Sequence, residues 1–209
     1  MPEINCRALE TIRQYFPDLT DQQIQQFEQL GSLYKDWNEK VNLISRKDLD
    51  HFYERHVLHS LAIAKIHSFE KKDSVMDLGC GGGFPGIPLA ILFPETHFLM
   101  VDSIGKKINV VKDVINQLGL TNAEARWSRA EEVEGHFDVV VTRAVAQLDK
   151  LFGWTRKKTK HIIALKGGDL TYEISVVANI KKQLTIHPIK DIFEGEFFET
   201  KVVLDIKLA

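Results

Sequence analysis

Asp77, Gly79, Gly81 and Gly83 fall at every second position of the segment Asp77-Leu-Gly-Cys-Gly-Gly-Gly-Phe-Pro-Gly-Ile-Pro88. Asp102 closes the next apolar run, His97-Phe-Leu-Met-Val-Asp102, 23 positions after Gly79. Glycine lets a backbone approach a ligand closely and adopt positive φ without steric penalty. A carboxylate at the end of the following strand can hold the hydroxyls of a ribose. Together these residues describe a nucleoside site. A tight turn needs one glycine, whereas four of the five positions 79–83 are glycine here, which favours a ligand. Asp102 has a plainer use as a cap for a helix starting at Ser103-Ile104, but the loop upstream favours the ribose.

Two registers compete for the glycines. Gly81-x-Gly83-x-x-Gly86 is a literal dinucleotide fingerprint, but it sets Pro85 and Pro88 in the early turns of the helix, where Pro88 lacks a donor and crowds the carbonyl four residues back. The register Asp77-x-Gly79-x-Gly81-x-Gly83 gives a longer loop and starts the helix near Pro88, a favoured first position. That is the loop pattern of class I S-adenosylmethionine methyltransferases. The cofactor expected is therefore S-adenosyl-L-methionine, with Asp77, Gly79, Gly81, Gly83 and Asp102 around it.

The elements that must position these residues follow from periodicity. Residues 1–66 read as a helical segment: Thr20-Asp-Gln-Gln23 forms a capping box ahead of Ile24, Phe27, Leu30, Tyr34, Trp37 and Val41. A shorter helix is expected around Asn5–Tyr15. Ser45-Arg-Lys-Asp48 opens a further helix through Leu49, Phe52, Val57, Leu61 and Ile63. Residues 67–209 form the second region, with strands expected at 74–78, 97–102, 122–127, 137–141 and 161–165 and helices between them. This alternation predicts an α/β fold with a parallel, doubly wound, Rossmann-like sheet. Only seven residues, 193–199, separate the strand-like runs 184–192 and 200–207. A crossover helix does not fit there, so the last strand is expected to be antiparallel.

Ligands in such sheets sit at the carboxyl ends of the strands. The five exits are 79–86, Asp102-Ser103, Ser128–Glu132, Thr142-Arg-Ala144 and Lys166-Gly-Gly168. The third suggests Ala130 and Glu131 for the adenine, and the fourth sets Arg143 beside the methyl donor and acceptor. The plain alternative for Arg143 is an ion pair with Asp77 or Asp102.

Composition narrows the function classes. The chain has 209 residues, 44% hydrophobic and 27% charged, ordinary for a soluble globular protein. Cys6 and Cys80 show no CxxC or Cys/His ligand spacing, which argues for a reducing compartment and against a zinc site, and no metal is expected. The N-terminus lacks a signal-like apolar stretch and no run reaches membrane-spanning length, so the protein reads as cytoplasmic. A net charge of −2 gives no support to a free-standing nucleic-acid binder. The basic run Arg156-Lys-Lys-Thr-Lys160 reads as a solvated surface.

From about Trp37 to Lys207 the chain resembles the RsmG (GidB) family of bacterial rRNA methyltransferases. The resemblance rests on Arg55-His56-Val-Leu-His-Ser60, the segment 77–89, Val101-Asp-Ser-Ile-Gly-Lys-Lys107, Thr142-Arg-Ala-Val-Ala146 and Ala164-Leu-Lys-Gly167. It implies methyl transfer from S-adenosylmethionine to N7 of a guanosine in the 530 loop of 16S rRNA, with the small ribosomal subunit or its precursor as partner. It also implies cofactor contacts at Gly79, Phe84, Ala130, Glu131 and Arg143, with Arg143 catalytic and Asp102 on the ribose. Arg55, His56 and Lys166 become candidates for RNA contact, the first two also for docking the helical segment. His59 stands where the family commonly has Asp, so no carboxylate role transfers to it.

The chemistry agrees. Guanine N7 carries a lone pair and no proton, so alignment matters more than a general base. Thr142-Arg-Ala144 is not the Asn/Asp-Pro-Pro-Tyr/Phe element that grips an exocyclic amine, and neither cysteine is placed for cytosine C5 chemistry. Two rivals stay open: a small-molecule methyltransferase with a helical lid, and a non-catalytic cofactor-binding module that docks on the ribosome.

Overall fold

Thr20 starts the longest helix as its sequence directs. Its hydroxyl accepts the Gln23 N–H at 3.3 Å while the Gln23 side chain accepts the Thr20 N–H at 2.9 Å, a reciprocal capping box. A computed structural model describes residues 2–180 and 182–209, and the side chains of all of these except 2–8 and 46. The helical segment consists of α1 (Pro2–Tyr15), α2 (Asp21–Lys40), α3 (Arg46–Leu49), a π-helical turn (Tyr53–Leu58) and α4 (His59–Ile66). The single helix expected beyond Ser45 is thus broken. The π turn widens the backbone at Arg55 and His56, a deviation that often marks functional sites. The side chain of Cys6 lies outside the described residues, whereas Cys80 is a buried free thiol.

The alternating region forms one seven-stranded sheet in the order β3-β2-β1-β4-β5-β7-β6. Its strands are β1 (Ser74–Leu78), β2 (His97–Asp102), β3 (Ala123–Trp127), β4 (Val139–Arg143), β5 (His161–Gly167), β6 (Lys182–Pro188) and β7 (Lys201–Leu208). The first five are mutually parallel, and β7 runs antiparallel to both β5 and β6. The last strand is antiparallel as expected, but β6 ends at Pro188 rather than 192, so the connection runs over residues 189–200 and holds two 3-10 turns, Ile189–Asp191 and Glu196–Thr200, in place of a crossover helix. The connecting helices are α5 (Gly86–Leu92), α6 (Gly105–Gln117), α7 (Leu148–Thr155) and α8 (Thr171–Val176).

Three boundaries differ from expectation and matter to the site. Strand β4 extends to Arg143 and β5 to Gly167, so Arg143 ends a strand and Lys166 lies within one. Helix α5 begins at Gly86, two residues earlier than Pro88. Pro88 is therefore its third residue, still among the first-turn positions whose N–H groups have no helical acceptor, which is why proline is tolerated there.

The central strands are apolar on both faces because both are covered. Val75 packs toward α4, α5 and α6, whereas Met76 and Leu78 pack toward α7. The helical segment shares the first of these cores: Phe27, Leu30, Tyr34 and Leu61 are fully buried in it. Polar contacts index the docking. Gln23 donates to the carbonyls of Ile91 and Leu92 at 2.9 and 3.1 Å, and Gln26 to that of Leu118 at 2.9 Å, satisfying the open ends of α5 and α6. Trp37 Nε1 donates to Asp113 Oδ2 at 2.7 Å. No helix among the described residues is long and apolar enough to cross a membrane.

Candidate cofactor and acceptor site

The chain runs outward through β1, β2 and β3, then returns to lay β4 against the other side of β1. Such a reversal opens a crevice at the carboxyl ends of the two central strands. Thr142 Oγ1 donates to the Leu78 carbonyl at 2.8 Å and locks those ends together. A cavity of about 540 Å³ lies at the crevice, inside the roughly 300–1,000 Å³ range of small-molecule sites.

The glycine loop forms its floor. Gly79 and Gly81 have φ of +68° and +56°. A Cβ on Gly79 would stand 2.0 Å from Val145 Cγ2, so glycine there lets the β4 exit close on the loop. A Cβ on Gly81 would meet nothing within 4 Å, so it would project into open space beside the cavity. Asp102 stands across the crevice, its Oδ2 accepting the Gly81 N–H at 2.9 Å and its Oδ1 the Ile104 N–H at 2.8 Å. The helix-entry bond foreseen as the plain use of Asp102 is thus present. Each oxygen keeps a second lone pair for a ligand diol.

Ser128, Arg129, Ala130 and Glu131 line the cavity after β3, and Arg143, Val145, Trp154 and Leu43 also line it. Leu43 belongs to the helical segment. Asn38 holds its loop through Oδ1, which accepts the N–H groups of Leu43 and Ile44 at 3.0 and 2.9 Å. Bare Gly81, a doubly braced acid and a single guanidinium in the lining fit an adenosine-linked cofactor.

Of the residues expected around the cofactor, Gly79, Gly81, Phe84, Asp102, Ala130, Glu131 and Arg143 line this cavity, while Asp77 and Gly83 do not. Asp77 is fully buried beneath the loop, where its Oδ2 accepts the Gly86 N–H at 2.7 Å and its Oδ1 has no hydrogen-bond partner among the described residues. Side chains alternate along a strand, so Asp77 faces α5 while Leu78 borders the crevice. Burial pushes its carboxyl up to about 7. Gly83 turns toward α5, where a Cβ would lie 2.5 Å from Ile87 Cδ1.

Arg143 does not take the ion pair entertained from sequence. Its Nη2 bonds His56 Nδ1 at 3.0 Å, its Nη1 donates to the Arg55 carbonyl at 3.3 Å, and the guanidinium lies 5.1 Å from the Phe84 ring centroid. The Arg55 side chain points elsewhere, pairing with Asp48 at 2.7 Å. Lys166 is also corrected. As a strand residue it bonds Glu173 at 2.5 Å and the Ala146 carbonyl, with a mostly buried side chain. His59 packs against the edges of Phe197 and Phe198. The basic run 156–160 immediately precedes β5, at the amino end of that strand, whereas the crevice lies at the carboxyl ends.

Sequence reading missed Leu43, Ile104, Lys107, Val145 and Trp154 in the lining. It also missed Tyr34, whose hydroxyl donates to the Gly82 carbonyl and so joins α2 to the glycine loop. Ile104 and Val145 adjoin recognised strand exits and were within reach of the same rule. Leu43 and Tyr34 carry no local signal, because only docking of the helical segment brings them here.

The sheet order, glycine loop and crevice define a class I S-adenosylmethionine methyltransferase. A solved S-adenosylmethionine-dependent methyltransferase from Aquifex aeolicus has the same fold, with a TM-score of 0.55 at 14% identity over 72% of this chain and 89% of that one. Residues 23–193 match the family model described as GidB, rRNA small subunit methyltransferase G, and the chain belongs to that family. It is 49% identical over 209 residues to the ribosomal RNA small subunit methyltransferase G of Flavobacterium johnsoniae, covering 96% of this chain and 98% of the relative. It is 51% identical over 205 residues to the protein of the same name from Bacteroides thetaiotaomicron, covering 94% and 98%.

Proposed function

We propose that this protein transfers a methyl group from S-adenosyl-L-methionine to N7 of a guanosine in the 530 loop of 16S rRNA, acting in the cytoplasm on the small ribosomal subunit or its precursor without a metal ion. Family membership carries the substrate class. The observation that carries the chemistry is Arg143 in the lining of the crevice, its guanidinium taking up the Nδ1 lone pair of the neighbouring His56. Cys80 is buried in the loop, where burial raises its thiol well above the ordinary range, so it stays protonated.

When bound, the cofactor supplies an electrophilic methyl group on a sulfonium. Asp102 would bind the ribose hydroxyls, Gly79 and Gly81 would admit the backbone-facing side of the ligand, and Ala130 with Glu131 would border the adenine. Leu43, Val145 and Trp154 would exclude water at the reacting end, with Arg143 orienting the acceptor base. Since N7 has no proton to lose, positioning supplies most of the acceleration, on the order of 7–11 kcal/mol for well-aligned partners.

The test is incubation with labelled S-adenosylmethionine and small subunits from a strain lacking this modification, followed by mapping of the methylated base. Label at N7 in the 530 loop is the expected result. Label on metabolites alone would support the small-molecule rival, and cofactor binding without turnover the non-catalytic one.

A further inference from the structure

The helical segment meets the crevice at Leu43 and at a contact between its His56 and Arg143 of β4. We infer that His56 is a positioning residue for Arg143, its imidazole held as a neutral acceptor that fixes where the guanidinium points. This rests on the reading of Arg143 given under the proposed function and extends it to the residue that aims it.

Four observations converge on the pair. A guanidinium has donors only, so the 3.0 Å contact from Arg143 Nη2 requires a lone pair on Nδ1 and puts the ring proton on Nε2. The ring itself is fixed: Phe52 stacks on it at 6.0 Å with an interplanar angle of 23°, and Phe84 tilts against it at 5.2 Å. Phe84 also lies under the guanidinium, so one aromatic ring indexes both partners. Finally, the π-helical turn places the Arg55 carbonyl 3.3 Å from Nη1. Among the described residues no carboxylate oxygen lies within ion-pair distance of Arg143. Its direction is therefore set by His56, Arg55 and Phe84 rather than by an acid.

Protonation would abolish the arrangement, because an imidazolium offers no lone pair and would face a guanidinium. The groups around His56 act together here: burial and the charges of Arg143 and Arg55 lower its pKa, and only Asp48 opposes them, leaving it at about 3. The neighbouring His59 is likewise held neutral and adds no charge near neutral pH. The acceptor is therefore present throughout the physiological range.

The geometry distinguishes substitutions that composition does not. The amide oxygen of Asn reaches the place of Nδ1, whereas that of Gln reaches the place of Nε2. Turnover on undermethylated small subunits should fall about 10²-fold in His56→Ala and His56→Gln, the scale of a 1 Å misplacement. His56→Asn should restore it to within a few-fold. Affinity for S-adenosylhomocysteine should stay within about threefold of the parent in His56→Asn and His56→Gln alike, so the loss sits in kcat. The parent pH–rate profile should show no group titrating near 6.5 that His56→Asn removes. Equal activity of the Asn and Gln variants would overturn the inference, as would such a titration. If Arg143→Ala and Arg143→Lys turn over like the parent, the reading of Arg143 fails; if Arg143→Ala is inactive while His56→Gln is normal, only the positioning role of His56 fails. Should His56→Ala not fold, the Asn–Gln comparison decides alone.

Discussion

Asp102 Oδ2 accepts the Gly81 N–H at 2.9 Å, and this bond ties the exit of β2 to the glycine loop after β1. Because Oδ1 accepts the Ile104 N–H at 2.8 Å, one carboxylate organises both the loop and the entry to α6. Asp102→Ala should weaken cofactor binding at least tenfold, since hydrogen bonds to a charged group contribute about 1.5–3 kcal/mol each. Asp102→Asn should also weaken it, because its amide nitrogen would confront one of the two N–H donors. Calorimetric titration with S-adenosylhomocysteine checks both, and unchanged affinity would end the ribose assignment.

Gly79 and Gly81 share a backbone conformation but predict opposite failures. Both have positive φ, and a left-handed residue with a Cβ costs about 1–2 kcal/mol. At Gly81 that is the whole structural penalty, since the methyl enters open space. Gly81→Ala should therefore melt within several degrees of the parent yet bind cofactor far more weakly. Gly79→Ala must also displace Val145 from 2.0 Å, so it should lose considerably more stability. Paired melting curves and cofactor titrations separate the two.

Local pattern was enough to reach the parallel sheet with its antiparallel last strand and most of the crevice lining. The glycine spacing, strand-terminal Asp102 and short final connection are each encoded within about 25 residues, and topology then brings the strand exits together. Asp77 was misplaced because an acid two residues before the loop looks adjacent to a ligand, whereas strand alternation turns it to the other face. Lys166 was misplaced because β5 continues two residues past its last obvious apolar position. The π turn was beyond reach, since its sequence has the same apolar spacing as an ordinary helix. The partners of Arg143 lie 87 and 88 residues away, and no single-sequence pattern links such positions.

Tyr34 joins the helical segment to the glycine loop. Its side chain is fully buried, packs on Phe52 and Phe84, and donates its hydroxyl to the Gly82 carbonyl. Tyr34→Phe keeps the rings but leaves that carbonyl without its donor, a change of about 1–3 kcal/mol. The expected outcome is a lower melting temperature together with a several-fold weaker affinity for S-adenosylhomocysteine. Loss of stability with unchanged affinity would show that the contact braces the fold without shaping the loop.

Two buried histidines should make the protein sensitive to acid. Burial is the largest cause lowering His59 to about 3, with Arg143 and Lys201 adding to it, and His56 is lowered to a similar value. A depressed folded-state value means that the unfolded chain binds protons first. The stability held by the neutral rings is fully present above pH 6.5 and declines as the pH falls from there toward 3. Each ring accounts for about 1.4 kcal/mol per pH unit over that window, an order-of-magnitude figure. Asp77 works in the opposite sense: its raised value disfavours the folded state as the pH climbs from about 4 to 7. Asp77→Asn should therefore remove this opposing slope between about pH 4 and 7 and steepen the net loss on acidification. His59→Leu should do the reverse, flattening the fall between pH 6.5 and 5 while leaving the slope above pH 7 unchanged. Urea unfolding of the three proteins at half-unit pH intervals checks the signs, and parallel curves for the parent and His59→Leu would refute a neutral buried His59.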